Sequence, residues 1–238
     1  MIVIRIADLS VRLNNRYQYV ELLCRDYVTN DDHVDFEVSV SDADIAEEMK
    51  NAECEATPAY AEAICLHRSI AERLWQYDAF LLHAALVEYD GNGYAFTARS
   101  GVGKTTHINL WKKCFGNKVS VINGDKPIVR LTEKGWMAYG TPWNGKEGLG
   151  ANRACRMKAL CFLERGLENE IASVEVSDAV MRLFPQIYLP SEASAVDKTL
   201  SLIDRFVNDV SFWHLYCNMK DEAALLSCQV MTTDKQEG

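Results

Sequence analysis

The chain has 238 residues, 48% hydrophobic and 25% charged. These are ordinary globular proportions, so they exclude a disordered or collagen-like chain, and the length suits one large α/β domain or one domain with an appendage. The 25 basic and 34 acidic residues leave a net charge of −9, which argues against a bulk electrostatic grip on nucleic acid or anionic membrane and leaves polyanion binding to a focused site.

The N-terminal third reads as three strands and then helices. Ile2–Ile6, Tyr17–Cys24 and Val34–Val40 carry β-branched and aromatic residues between polar turns. Ser41-Asp-Ala-Asp44 resembles a capping box ahead of a short acidic helix, Ala43–Lys50. Thr57 and Pro58 fit the N-cap and first position of a longer helix, in which Ala63, Leu66, Ile70 and Leu74 recur at helical spacing. Phe80–Tyr89 is an apolar strand containing His83, and Asp90-Gly-Asn-Gly93 turns it into a return strand, Tyr94–Ala98.

That strand runs into a glycine loop and a helix, Lys104–Phe115. Lys118–Asn123 reads as a buried strand leading to Gly124-Asp125, and Pro127–Leu131 and Trp136–Tyr139 as a hairpin. Gly140–Arg153 is glycine-rich and aperiodic, a long loop of the kind that often carries function. Met157–Leu163 and Ile171–Val176 are further strands. Ser177-Asp178 begins a helix reaching Phe184 before Pro185, Thr199–Asn208 is helical, Phe212–Cys217 is a strand, and Asp221–Met231 is a closing helix before a frayed tail from Thr232. No linker divides the chain, so residues 1–78 are expected to form a β-rich lobe packed on a core formed by residues 79–238.

The N-terminus has no signal-peptide pattern, and no run approaches the ~18 apolar residues of a membrane span. None of the eight cysteines forms a Cys-x-x-Cys pair. Scattered core thiols in a reducing, cytoplasmic setting are the expectation, with no membrane and no nucleic-acid partner.

The segment Ala98-Arg-Ser-Gly-Val-Gly-Lys-Thr105 fits the Walker A pattern, with alanine in the first glycine position. Gly101 and Gly103 let the backbone curl so that successive N–H groups face phosphate oxygens. Ser100, Gly101, Val102, Gly103, Lys104, Thr105 and Thr106 are the expected nucleotide-binding residues. Lys104 reaches the terminal phosphates, Thr105 offers a hydroxyl to Mg²⁺, and the helix behind adds its positive dipole end. A strand before the loop, a helix after it, and a second strand leading to Asp125 supply the context this pattern requires. Asp125 is a candidate Mg²⁺ ligand and proton acceptor.

His83-Ala-Ala-Leu-Val, the Asp-Gly-Asn-Gly hairpin, Ser100-Gly-Val-Gly-Lys-Thr and the strand ending at Asp125 together resemble the catalytic domain of HPr kinase/phosphorylase, a group related to PEP carboxykinases. The resemblance covers Phe80 to Leu163. It implies a P-loop-containing mixed central sheet with flanking helices, an α/β fold, and ATP-dependent phosphorylation of a hydroxyl, typically of a serine. It implies catalytic roles for Asp125 and His83 and phosphate binding by the 100–106 loop. The family's hexamers imply that this chain could also form homo-oligomers. Two departures stand out: Lys126 replaces the second aspartate of the family's Asp-Asp pair, and Thr105-Thr106 is closer to the carboxykinases.

Phosphoryl transfer needs charge neutralisation at the transferred group and a base for the acceptor. In the long loop, Lys146 is a candidate for the first and Glu147 for metal or acceptor. Arg153 is a further candidate phosphate contact. The leading expectation is a Mg-ATP-dependent phosphotransferase acting on a hydroxyl-bearing protein, peptide or metabolite. The alternatives are a nucleotide-binding regulator without transfer activity, motivated by Lys126, and a PEP carboxykinase-like small-molecule enzyme, motivated by Thr105-Thr106.

Overall fold

A computed structural model describes residues 1–52, 56–99 and 101–233. Ser100, Cys54 and the tail beyond residue 233 lie outside the described residues. The first strand, β1 (Ile2–Ile6), turns at Ala7-Asp8 into β2 (Leu9–Leu13), its antiparallel partner. Both turn residues have positive φ, 50° and 58°. Alanine there carries no sequence signal, which is why the hairpin and β2 were not expected.

Tyr17–Cys24 is a helix, α1 (Gln18–Leu23), and not the expected strand. Its fully buried residues, Val20 and Cys24, are four apart, so the helical period sets its inner face. The buried Glu62 carboxylate accepts the Arg16 and Tyr17 N–H groups at 2.7 and 3.0 Å, anchoring the start of this helix. The third strand shrinks to β3 (Phe36–Val38), parallel to β2. Helix α2 (Asp42–Asn51) carries the expected capping box of Ser41 and Asp44. Helix α3 (Pro58–Ala71) starts from Thr57, whose hydroxyl accepts the Tyr60 N–H. Residues 1–78 are therefore mixed α and β, not β-rich.

The expected long strand Phe80–Tyr89 is two strands, β4 (Ala79–Leu81) and β5 (Ala85–Tyr89). The chain changes partners between them: Leu82 donates to the Pro127 carbonyl, Ala84 to the Asp125 carbonyl, and His83 to the Gln186 carbonyl. Next come β6 (Asn92–Thr97), α4 (Lys104–Phe115), β7 (Val119–Asn123) and the hairpin β8 (Ile128–Thr132) with β9 (Gly135–Tyr139). Residues 140–153 form the expected irregular loop. The strand β10 (Ala154–Arg165) is longer than expected because its first residues pair with β9 and its last with β12 (Ser211–Cys217). β11 (Glu170–Ser173) pairs with β12. Helix α5 (Val176–Leu183) takes Glu175, not Ser177, as N-cap. α6 (Ala193–Asp209) and α7 (Asp221–Thr232) complete the elements.

The large sheet is mixed, in the order β4-β8-β9-β10-β6-β5-β7, with β12 also on β10. Helices cover it. Leu202, Ile203 and Phe206 of α6 pack on one face with Phe80, Trp136 and Phe212. Ile108 and Trp111 of α4 and Ala224 and Cys228 of α7 pack on the other with Phe96 and Cys161. A third apolar cluster joins β1, β2 and α3 to Ala79, Leu81, Ile128, Tyr139 and Trp143. Burying each large side chain of this kind contributes about 1.5–3 kcal/mol. No helix among the described residues is long and apolar enough to cross a membrane.

Candidate functional site

β5 is antiparallel to both β6 and β7 and lies between them. β6 and β7 therefore run the same way, and their C-terminal ends share one sheet edge with the N-terminal end of β5. That edge gathers the glycine loop after β6, His83 before β5, and Asp125 after β7. Asp125 is thus one strand removed from the glycine-loop strand and not on its immediate neighbour.

In the glycine loop, Gly101 and Gly103 adopt φ of 77° and 129°, conformations that side-chain-bearing residues rarely take. Gly103 is the N-cap of α4, and no side chain caps it. The first N–H groups of a helix have no intrahelical partner, so this end is a built anion acceptor. Arg165, at the end of β10, donates to the Gly101 carbonyl at 2.6 Å and the Val102 carbonyl at 3.3 Å. Each carbonyl so held directs the N–H of its own peptide unit the opposite way.

Lys104 Nζ lies 3.0 Å from His83 Nε2 and 3.4 Å from the Ala98 carbonyl. His83 Nε2 also lies 3.2 Å from Asp125 Oδ1, and Lys126 Nζ is 3.0 Å from Asp125 Oδ2. Burial works against the Asp125 charge. Hydrogen bonding from His83 and the positive charge of Lys126 outweigh it and hold this carboxyl well below its ordinary range. Burial likewise lowers the Lys104 ammonium, opposed by Asp125 and assisted by Lys126. His83 is fixed through its backbone: Thr97 Oγ1 donates to its carbonyl at 2.8 Å, and its N–H reaches Gln186 at 2.7 Å.

Asn123 is a residue the sequence reading did not single out. Its Oδ1 accepts the N–H groups of Asp125 and Lys126 at 2.8 and 2.6 Å, and its amide donates to Thr141. The signal was present as an Asn-Gly-Asp-Lys turn, in which asparagine caps the residues after it. The long loop packs against that turn. A Cβ on Gly124 would lie 2.6 Å from the Asn144 carbonyl oxygen, and one on Gly145 3.1 Å from Asp125 Cβ.

These groups line one cleft of about 830 Å³. It holds His83, Gly101, Gly103, Lys104, Thr105, Thr106, Asp125, Lys146 and Glu147. Lys146 and Glu147 are exposed at its rim. Val102 is not on its wall, and neither is Arg153, whose guanidinium pairs with Glu88 near the far end of β5. The opposite wall comes from the N-terminal third and was not foreseen: Tyr19 and Leu23 of α1, and Tyr60, Ala63, Ile64 and His67 of α3. His67 stacks on Trp143, with ring centroids 4.5 Å apart. Trp143 Nε1 donates to the Ala63 carbonyl at 3.0 Å. Burial pushes the His67 imidazole down to about 3, with Lys126 assisting.

Thr105 and Asp125 offer oxygen donors of the kind Mg²⁺ prefers. Among the described residues no group of three or more His, Cys, Asp or Glu side chains could hold a metal. This donor set fits a magnesium ion that brings its remaining oxygens on a polyphosphate.

No protein-family model matches this chain, and no curated protein matches it. Among solved structures it is similar to the HPr(Ser) kinase/phosphatase from Coxiella burnetii, at 8% identity and a TM-score of 0.36, over 63% of this chain and 93% of that one. The functional reading therefore rests on the geometry of the site.

Proposed function

We propose that the protein is a Mg-ATP-dependent phosphotransferase that transfers the terminal phosphoryl group to a hydroxyl. The observation that carries this reading is the meeting of Lys104, His83 and Asp125 below a glycine loop that opens into the N-terminus of α4. The phosphate chain lies on the loop's N–H groups, and Gly101, Gly103, Thr105 and Thr106 surround it. Lys104 meets charge developing at the transferred group. Asp125 accepts the proton of the attacking hydroxyl as its oxygen bonds to phosphorus and the bond to the leaving diphosphate oxygen breaks. His83 holds the Asp125 carboxylate in place. Thr105 and Asp125 would hold a magnesium ion, which would supply neutralising charge. Lys146 and Glu147 approach from the rim.

Residues 1–78 form, in this reading, a lobe that closes the acceptor side of the cleft. The free, scattered thiols among the described residues support a cytoplasmic setting. The test is transfer of labelled phosphate from ATP to a panel of peptides and hydroxylated metabolites. Wild type should give product, and Lys104→Ala and Asp125→Asn should not. Equal labelling by all three overturns the proposal.

A second reading has its own support. Lys126 neutralises Asp125 directly, as expected of a nucleotide-binding regulator that no longer transfers phosphate. ATP binding by wild type with no labelled product favours it.

A further inference from the structure

We propose that the wall formed by α1 and α3 is the acceptor subsite, and that it takes a peptide whose phosphorylated serine or threonine has an apolar neighbour. This rests on the phosphotransfer reading, and it follows from the order of groups across the cleft. The glycine loop comes first, then Lys104. His83 Nε2 is 3.0 Å from Lys104 Nζ and 3.2 Å from Asp125, and Lys126 is 3.0 Å beyond Asp125. A phosphate chain on the loop presents its terminal group to Lys104 and Asp125. Whatever supplies the hydroxyl must come from the other side of Asp125. The long loop packs against Asp125 there, and it carries Trp143, which is fastened to Ala63 of α3 and stacked on His67.

That side is apolar and aromatic. Ile64, Ala63 and Leu23 line it, and Tyr19 and Tyr60 stand at its mouth with ring centroids 6.3 Å apart. A strongly charged side chain would lose hydration against the Leu23, Ala63 and Ile64 part of this wall. An aliphatic or aromatic side chain gains burial, and an exposed tyrosine pair is a common anchor for such groups. The apolar surface also continues out of the cleft. Tyr60 is 49% and Tyr19 39% exposed, and Leu22 on the same helix as Tyr19 is 60% exposed. An enclosed small alcohol needs no such extension, whereas a chain running past the cleft does.

The test reads binding as well as transfer. Fluorescein-labelled serine heptapeptides with leucine, phenylalanine, alanine or aspartate beside the serine are titrated by anisotropy, with ATP and Mg²⁺ held saturating. Benzyl alcohol serves as a competing small alcohol. The leucine and phenylalanine peptides should bind at least tenfold more tightly than the aspartate peptide. Tyr60→Ala and Tyr19→Ala should erase that preference while the Kd for ATP stays within a factor of two, and Tyr60→Phe should retain it. Both tyrosines are exposed, so their removal leaves the core packed. The proposal fails if binding does not depend on the neighbour, or if the variants weaken ATP and not peptide. It also fails if benzyl alcohol is phosphorylated and no peptide is bound. Tight apolar-peptide binding without transfer in any arm sinks the phosphotransfer reading and leaves the subsite standing.

Discussion

One ring nitrogen of His83 faces two groups of opposite demand: Nε2 lies 3.0 Å from the Lys104 amine and 3.2 Å from an Asp125 carboxylate oxygen. That nitrogen carries either a proton or a lone pair, so it can donate to Asp125 or accept from Lys104, not both. A phosphate oxygen that draws Lys104 away settles the choice in favour of donation to Asp125. His83→Ala should therefore reduce kcat by about 10²-fold or more, the low end of general acid–base effects, with a smaller change in KM for ATP. Initial-rate kinetics check this, and an unchanged kcat removes His83 from the mechanism.

Lys126 can be tested through pH. Burial raises the Asp125 carboxyl, and His83 and Lys126 together lower it further than burial raises it. Removing the Lys126 charge should let the carboxyl rise toward its ordinary value. The acid limb of kcat/KM against pH should move to higher pH in Lys126→Ala. A limb that stays in place means another group titrates there.

Acid sensitivity of the fold should have a component at His67. This imidazole is buried and held down to about 3 against an ordinary value of 6.5. A depressed value means stability is fully present above 6.5 and is lost as pH falls, because the unfolded chain takes up the proton first. Between pH 7 and pH 5 the loss is at most about 2 kcal/mol. Chemical denaturation of wild type and His67→Phe at both pH values should show the variant losing less. Equal losses would place the acid sensitivity elsewhere.

Gly124 is a close-approach position. An added Cβ would lie 2.6 Å from a backbone oxygen of the long loop, with 3.1 Å to a second at Leu149. Gly124→Ala should cost about 1–3 kcal/mol and displace the loop from Asp125, so activity should fall by more than stability does. Denaturation midpoints and kcat measured together check this. A fully stable, fully active variant would falsify the packing argument.

The glycine loop, its helix and Asp125 were legible because each has a local signature: two glycines at fixed spacing, a helical period, an Asn-Gly turn. Lys104–Phe115 begins and ends as the pattern indicated. Other features depended on distant partners. Tyr17–Cys24 alternates well enough for a strand, but Glu62, 45 residues beyond Tyr17, takes up its backbone N–H groups, and the segment coils. The apolar run around His83 gives no hint that it changes strand partners, because that switch is set by hydrogen bonds to Pro127, Asp125 and Gln186. Arg153 looked suited to phosphate from its place in the loop. Its partner Glu88 sits toward the far end of β5 from His83 and draws it from the site. The wall of α1 and α3 belongs to a part of the chain where no motif marks a binding residue.

Arg165 clamps the Gly101 carbonyl across 64 residues of sequence. On the ribosome the glycine loop emerges well before its clamp, and the strand that carries Arg165 must still wait for Ser211–Cys217 to pair with it. In the proposed function, phosphate binding by the loop is therefore acquired only after Ser211–Cys217 has been made and paired. A nascent chain arrested before β12 should hold the loop's sequence without its affinity.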